Sequence, residues 1–377
     1  MNPQNLFCPN FACPARGQTG EGNIIGHGRK KPRFKCKVCR QTFCPTTGTP
    51  WHRVHYPASV VTQVVTLLAW GCPVQAIVWA FALDERTVLD WQARAASQCQ
   101  AVQQHFLTGA DLAGEVQADE LRIKGRGVIF WLACALHVPT RLWLGGEVSP
   151  RRDRQLIRHT LEWVKQAVNP KRYLLLMTDG LSSYTSQARV VFRDKVVSKL
   201  AGRPRQVVWE TLLVANVVKQ YSQRRVTGVI HRIKHGAAEL VEAVRHRACT
   251  MGVLNTAYIE RWNGTLRQRL NSVVRRGRNA VATSGRLRAG MWLVGTAYNF
   301  CTGHESLRVS WLDEAGRKHW SERSPAMAAG LTNHVWSVEE LLRYRLPPSR
   351  WEPPRKRGRR SKEVKKLMKR WCSSAHT

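Results

Sequence analysis

Apolar positions along the chain follow two rhythms, and the change between them marks its organisation. From Val60 to Trp70, and again at Val74, Ile77, Val78 and Phe81, steps of three and four residues predict two helices, each with one apolar stripe. Gly71-Cys72-Pro73 reads as the turn between them; Asp84 is placed to cap a third helix whose stripe is Val88, Trp91 and Ala95. The rhythm then shortens. Glu115 to Lys124, Val128 to His137 and Thr140 to Val148 predict three strands with short connections, an antiparallel meander. An amphipathic helix follows over about Asp153 to Ala167. Tyr173 to Met177 is continuously apolar, as a strand covered on both faces should be. Asn255 to Leu270 predicts a helix whose core stripe is Ile259, Trp262, Leu266, Leu270 and Val273. Such alternation up to about Tyr298 predicts a mixed α/β domain.

Five segments follow from these changes: 1–55, 56–105, 110–302, an extension over 303–346 with a short helix at Ser337 to Arg345, and a tail over 347–377. The tail holds eleven Lys or Arg against two Glu and is expected to be a solvated, disordered arm. Charge sharpens the picture: 60 Lys and Arg against 25 Asp and Glu leave the 377-residue chain at +35, a self-repulsion that a polyanion would relieve. Tyr56 to Leu83 carries no formal charge, but Gln63, Thr66, Gly71, Pro73 and Gln75 interrupt it, so a membrane span is not expected.

The eleven cysteines are an odd number in a chain without an export-like leading segment, which points to a reducing, cytoplasmic setting rather than a disulfide scaffold. Four of them pair at ligand spacing. Cys8-x4-Cys13 and Cys36-x2-Cys39 are separated by a Gly-rich basic connection, and four thiolates converging on one tetrahedral ion suit structural Zn²⁺. Phe34-Lys35 and Gln41-Thr42-Phe43 are expected as short strands flanking the second pair, a zinc ribbon; Cys44, His27 or His52 could replace one ligand. The paired helices after it have helix-turn-helix spacing. The second would then present Arg86, Thr87 and Arg94 to a DNA major groove, with an ordinary helical bundle as the alternative.

Acids are scarce here, so their positions carry information. Asp119 falls on the first meander strand; Asp179 closes the buried strand, where open α/β sheets place ligands; Glu260 lies beside the core stripe of its helix, sharing a face with Asn263 and Arg267. Glu120 competes with Asp119, but adjacent strand positions face opposite sides, so only one is expected at a metal. Three carboxylates from two strands and a helix suit a pair of Mg²⁺ (or Mn²⁺) ions, the arrangement that cleaves phosphodiesters. From Lys199 to Arg288 eighteen Lys or Arg stand against four Glu, including Arg267, Arg269, Arg275 and Arg276, which suits a DNA path near Glu260.

These residues resemble a known family. Met177-Thr-Asp-Gly180 with Tyr184, and Ile259-Glu-Arg-x-Asn263 with Leu266-Arg267 and Arg269, resemble the second and third acidic motifs of insertion-sequence DDE transposases, in particular the family of insertion sequence one. A first motif ending in Asp119-Glu120, an N-terminal ribbon and a helix-turn-helix extend the resemblance over about residues 8–300. It implies an α/β ribonuclease-H-like catalytic domain, a mixed sheet with flanking helices, preceded by a zinc ribbon and an all-α helix-turn-helix domain. It also implies Asp119, Asp179 and Glu260 as catalytic acids, and a basic contact at Arg267. The expected protein is a transposase that binds transposon ends in double-stranded DNA and cleaves and joins them into a target. It would act as a homo-oligomer in a prokaryotic nucleoid, without membrane or small-molecule substrate. A non-catalytic DNA-binding regulator and a structure-selective nuclease are the alternatives. The chain departs from the typical member in extra sequence between Asp179 and Glu260 and in the region after Cys301.

Overall fold

The computed structural model describes residues 2–28, 32–196, 204–223, 225–247, 255–273, 283–353 and 358–372. They form two compact units, one of residues 1–58 with 343–377, the other of residues 59–342.

In the first unit three short strands, β1 (Ile24–Gly26), β2 (Phe34–Cys36) and β3 (Thr42–Phe43), pair antiparallel in sequence order. Leu6, Ile24, Phe34 and Phe43 bury themselves around the cysteines. The tail supplies the rest of this small core. Within the segment expected to be a disordered arm, Lys362–Trp371 is helical, and Trp371 is buried against the cysteine cluster with Leu367 beside it. The expectation of a wholly solvated arm therefore gives way: the charge sits on one side of an amphipathic helix whose other side is needed by a unit too small to enclose a core alone. Arg345 donates to the Cys44 and Pro45 carbonyls, and the Arg343 guanidinium lies over the Trp51 ring.

The second unit begins with three helices, α1 (Ala58–Ala69), α2 (Val74–Phe81) and α3 (Glu85–Leu107). Asp84 caps α3, accepting from the Arg86 amide at 2.8 Å, as its position implied. Helix α3 is 23 residues long and does more than close a helical trio. Its second half buries Cys99, Val102 and Gln103 against α8 (Ser284–Cys301), where Asn299 bonds both Gln103 and the Trp143 carbonyl. Helix α3 thus packs with α8 over the sheet, and the boundary expected near residue 105 to 110 lies inside one compact unit.

The sheet has six strands in the order β11-β10-β7-β4-β5-β6. Strands β4 (Gly114–Lys124), β5 (Ile129–His137) and β6 (Leu142–Ser149) are the expected antiparallel meander. After α4 (Arg154–Ala167), β7 (Leu174–Thr178) enters parallel to β4; after α5 (Ser182–Val191), β10 (Leu212–Ser222) lies parallel to β7. Edge strand β11 (Arg225–His235) then runs antiparallel to β10, so the Val217 to His235 stretch is a hairpin. Two short strands, β8 (Arg193–Val196) and β9 (Arg205–Val208), pair separately.

Helix α7 (Ala257–Arg269), which follows α6 (Ala238–Arg247), and helix α8 pack on the sheet face that carries Gln117, Leu121 and Ile123. Gln117 Oε1 accepts from the Tyr258 and Ile259 amides, each at 3.0 Å, and so satisfies the start of α7. Tryptophans fill the layer: Trp143 stacks on Trp262 with centroids 5.7 Å apart, and Trp292 meets Trp143 edge-on at 5.0 Å. Gly295 permits this, since a Cβ there would lie 2.2 Å from the Trp143 ring. Gly71, at φ +89°, admits a second close approach, with its Cβ position 2.9 Å from the Arg269 Cα. The expected C-terminal helix is present as α10 (Val338–Arg343), following a hairpin of β12 (Val309–Leu312) and β13 (Lys318–Ser321) and a single turn, α9 (Pro325–Ala328). Among the described residues no helix is long and apolar enough to cross a membrane.

Candidate metal centres

Among the described residues two clusters have ligand geometry. The first is the four cysteines. A tight turn places Cys13, whose amide donates to the Asn10 carbonyl, and a left-handed Arg40 at φ 60° returns the chain after Cys39. Cys8 Sγ and Cys39 Sγ are 3.6 Å apart, and Cys13 Sγ and Cys36 Sγ 3.8 Å. Thiolates at about 2.3 Å from one ion at the corners of a tetrahedron stand about 3.8 Å from each other, so the spacing fits Zn²⁺. Burial pushes the Cys8 thiol far up and the Cys13 thiol to about 12, with neighbouring cysteines adding to both. Such thiols stay protonated unless a cation offsets the desolvation and repulsion. The four predicted ligands are the four that converge; Cys44 instead bonds Thr46, Thr47 and His52.

The second cluster is built by the sheet. Pairing of β4 with β7 ends at Ala118 opposite Thr178, so Asp119 and Asp179 emerge side by side where the two parallel strands part. Oxygens of Asp119, Glu120 and Asp179 all lie within 4.8 Å of one another. The expectation that only one of Asp119 and Glu120 could contribute does not hold. Alternation itself still holds, since both residues pair with β5, and Asp119 bonds Asn263 of α7 while Glu120 bonds Tyr184 of α5. The two carboxylates approach each other around the edge of β4 that β7 leaves open beyond Ala118.

Each acid has its own support. Asp119 accepts from the Glu120 amide and from Asn263 Nδ2, both at 2.8 Å. Glu120 accepts from Tyr184 Oη at 2.9 Å and is gripped by Arg152, which also lies 3.8 Å from Asp179 and over the Trp131 ring. Asp179 caps the turn into α5, accepting from the Leu181 amide at 2.9 Å. Burial, then the charge of Glu120, raises the Asp119 carboxyl to about 6, with Asp179 and Glu260 adding to the rise. Burial and Asp179 raise Glu120 as well, and burial followed by Glu120 holds the Tyr184 phenol protonated.

Glu260 is outside the three-residue group. It lies exposed at the first turn of α7, accepts from Thr256 Oγ1 at 3.0 Å, and is close enough for its charge to bear on Asp119. One turn further on, Asn263 of α7 contacts the acids directly. Asn263 Oδ1 is buried without a hydrogen-bond partner, as is Asn216 Oδ1, whose amide nitrogen donates to the Asp179 carbonyl at 2.6 Å. Three converging carboxylates, with amide side chains bonded to Asp119 and to the Asp179 main chain, are an oxygen-rich set that a hard cation such as Mg²⁺ prefers.

The predicted basic residues are dispersed. Arg86 and Thr87 stand at the start of α3, Arg86 exposed; Arg94 pairs with Asp90 one turn along the same helix. Arg267 is half-buried on α7, whereas Arg269 is drawn inward, with Trp70 5.1 Å away, and burial lowers its pKa. Arg275 and Arg276 lie outside the described residues. A cleft of about 400 Å³ opens beside Gly71, lined in part by Gln92, Arg126, Arg269, Asn271 and Arg286. Of the residues that sequence reasoning does not single out, Arg152 and Asn216 matter most. Arg152 sits in a basic run with no periodicity, and Asn216 lies within an apolar strand, so neither carries a signal of its own.

Set beside known proteins, the chain matches no family model and no curated sequence.

Proposed function

We propose that the protein is a metal-dependent DNA transposase of the DDE type. The observation that carries this reading is the convergence of Asp119, Asp179 and Glu120 at the ends of neighbouring parallel strands, with Glu260 at the rim. A meander followed by two strands parallel to its first, with helices between, supports a ribonuclease-H-like domain. The paired α2 and α3 with Arg86 and Thr87 at the latter's start support a helix-turn-helix, and the four cysteines support a zinc ribbon. A charge of +35 supports nucleic acid as the partner.

On this reading Asp119 and Asp179 would hold Mg²⁺ or Mn²⁺, with Glu260 as the third acid. Bound divalent ions supply activation of an attacking water or 3′ hydroxyl and stabilisation of the leaving oxygen. Asn263 fixes the Asp119 rotamer and Asn216 the backbone at Asp179. Arg152 and Tyr184 hold the Glu120 carboxylate in place. Duplex DNA then crosses the cleft toward the exposed start of α3.

The test is cleavage and joining of end-like duplex DNA with Mg²⁺ or Mn²⁺, wild type beside Asp179→Asn. Loss of one metal-binding carboxylate is expected to cost several kcal/mol of transition-state stabilisation, at least about a thousandfold in rate. Equal activity in the variant removes the mechanism. A second reading, a DNA-binding regulator that uses no metal at the acids, is favoured by Arg152, whose guanidinium already neutralises Glu120 and approaches Asp179. Sequence-selective DNA binding unaffected by Mg²⁺ and by Asp179→Asn would select it.

A further inference from the structure

The hairpin of β12 and β13 is exposed at every one of its eight strand positions. A two-stranded hairpin with both faces in water is at best marginal, and this one carries large apolar groups there: Trp311 is 50% exposed, Leu312 67% and Trp320 55%. Its two faces differ. Trp311 lies opposite His319 and stacks on it with centroids 4.7 Å apart; His319 and Arg317 both bond Asp313, each at 2.9 Å. That face has spent its polar groups on itself.

The other face has not. Ser310 lies opposite Trp320 and Leu312 opposite Lys318, with Arg308 leading into the same row. The Arg308 guanidinium lies 5.4 Å and the Lys318 ammonium 4.8 Å from the Trp320 ring centroid. Arg308 also meets Glu305 at 3.2 Å, but Glu305 is 85% exposed, and such a surface pair is easily exchanged for another anion. A half-open indole with two cations over its ring is the minimal equipment for one nucleotide, a flat face for the base to take in place of a cation and positive charge that swings out to the phosphates. On a chain of net charge +35, two more cations beside an open ring favour a polyanion over a protein as the occupant.

We propose that this face of the hairpin binds an unpaired nucleotide of DNA by stacking its base on Trp320, with Arg308 and Lys318 on the flanking phosphates. The inference rests on the proposed DNA-processing function, because strand cleavage is what would expose such a base. It places a single-strand contact outside the acidic cluster.

The test uses the full-length protein and two fluorescent DNAs, a duplex with a three-nucleotide overhang containing 2-aminopurine and the same duplex without overhang. Wild type should quench the 2-aminopurine and bind the overhang form more tightly. Trp320→Ala should abolish the quench and weaken overhang binding roughly tenfold while changing duplex binding less than about twofold. Trp320→Phe, which keeps a ring, should recover most of both. Unchanged quenching in Trp320→Ala, or equal loss on both DNAs, overturns the proposal. So does a change in the sedimentation of the DNA-free protein, which would make the hairpin a contact between chains. Asp119→Asn, run alongside, separates the two readings. Metal-dependent cleavage lost in Asp119→Asn with the overhang preference absent in wild type sinks the hairpin proposal alone; cleavage retained there sinks the catalytic reading whatever the hairpin does.

Discussion

The cysteine cluster and the acidic cluster solve the same problem, gathering like-charged ligands, in opposite ways. The thiols come from two short-range pairs within 32 residues, each held by its own turn. The acids come from two strands 60 residues apart, and their neighbours Arg152, Tyr184, Asn216 and Asn263 come from four further segments. Among the described residues the thiols bond no cationic side chain, so a metal ion is what would hold the first cluster together; the second carries a resident guanidinium beside its acids. On the proposed reading the first is a structural metal site that organises its own ligands, and the second a reactive centre organised before the metal arrives.

Chelation is the strongest way to break this contrast. Stripping the purified chain with a chelator under reducing conditions should release about one zinc. Amide protection should then vanish over residues 2–58 and in the Lys362–Trp371 helix, since structural Zn²⁺ contributes roughly 10 kcal/mol or more to such folds. Residues 59–342 should keep their protection. Protection retained in the first unit would mean that its apolar residues suffice without metal.

A smaller effect separates the acids from the thiols by pH. Asp119 titrates near 6 in the folded chain against 3.8 for the ordinary carboxyl, so the folded state holds the extra proton between those values. Metal-free stability should therefore fall as pH rises from about 4 to 6, by at most about 3 kcal/mol, the reverse of the usual salt-bridged carboxylate. Mg²⁺ should remove the dependence, and Asp119→Asn should flatten it. Urea midpoints at intervals of half a pH unit decide; stability that instead rises through this window contradicts the raised carboxyl.

The smallest effect tests the platform beneath the acids. Gly295→Ala forces a methyl toward the Trp143 ring and, through the stacked Trp262, strains the helix that holds Asn263. Overpacking of this kind costs about 1 to 3 kcal/mol, read as a lower thermal midpoint, while zinc content stays unchanged. A neutral substitution would show that the tryptophan layer yields freely.

Local features are legible in the amino-acid order alone. The cysteine spacing names all four thiols, the three-and-four rhythm locates α2 and the Asp84 cap, and the uninterrupted run ahead of Asp179 marks β7 as a buried strand. Misreadings arise where neighbours in space overrule the local pattern. Charge alone makes the basic tail look like a solvated arm, yet Trp371 finds a core because the first unit leaves one open. Strand alternation argues against Glu120, but where β7 ends beside Ala118 the edge of β4 lies open and carboxylates from its two faces can meet around it.

The sequence by itself determined the ligand chemistry on offer, four soft thiols at metal spacing and a handful of acids at element ends in a chain of overwhelming positive charge. Which acids meet was decided by the tertiary structure alone. Strand order and the point where β4 and β7 part set their separation, and a side chain such as Arg152 acquires its role from a 32-residue return of the chain that no short-range periodicity encodes.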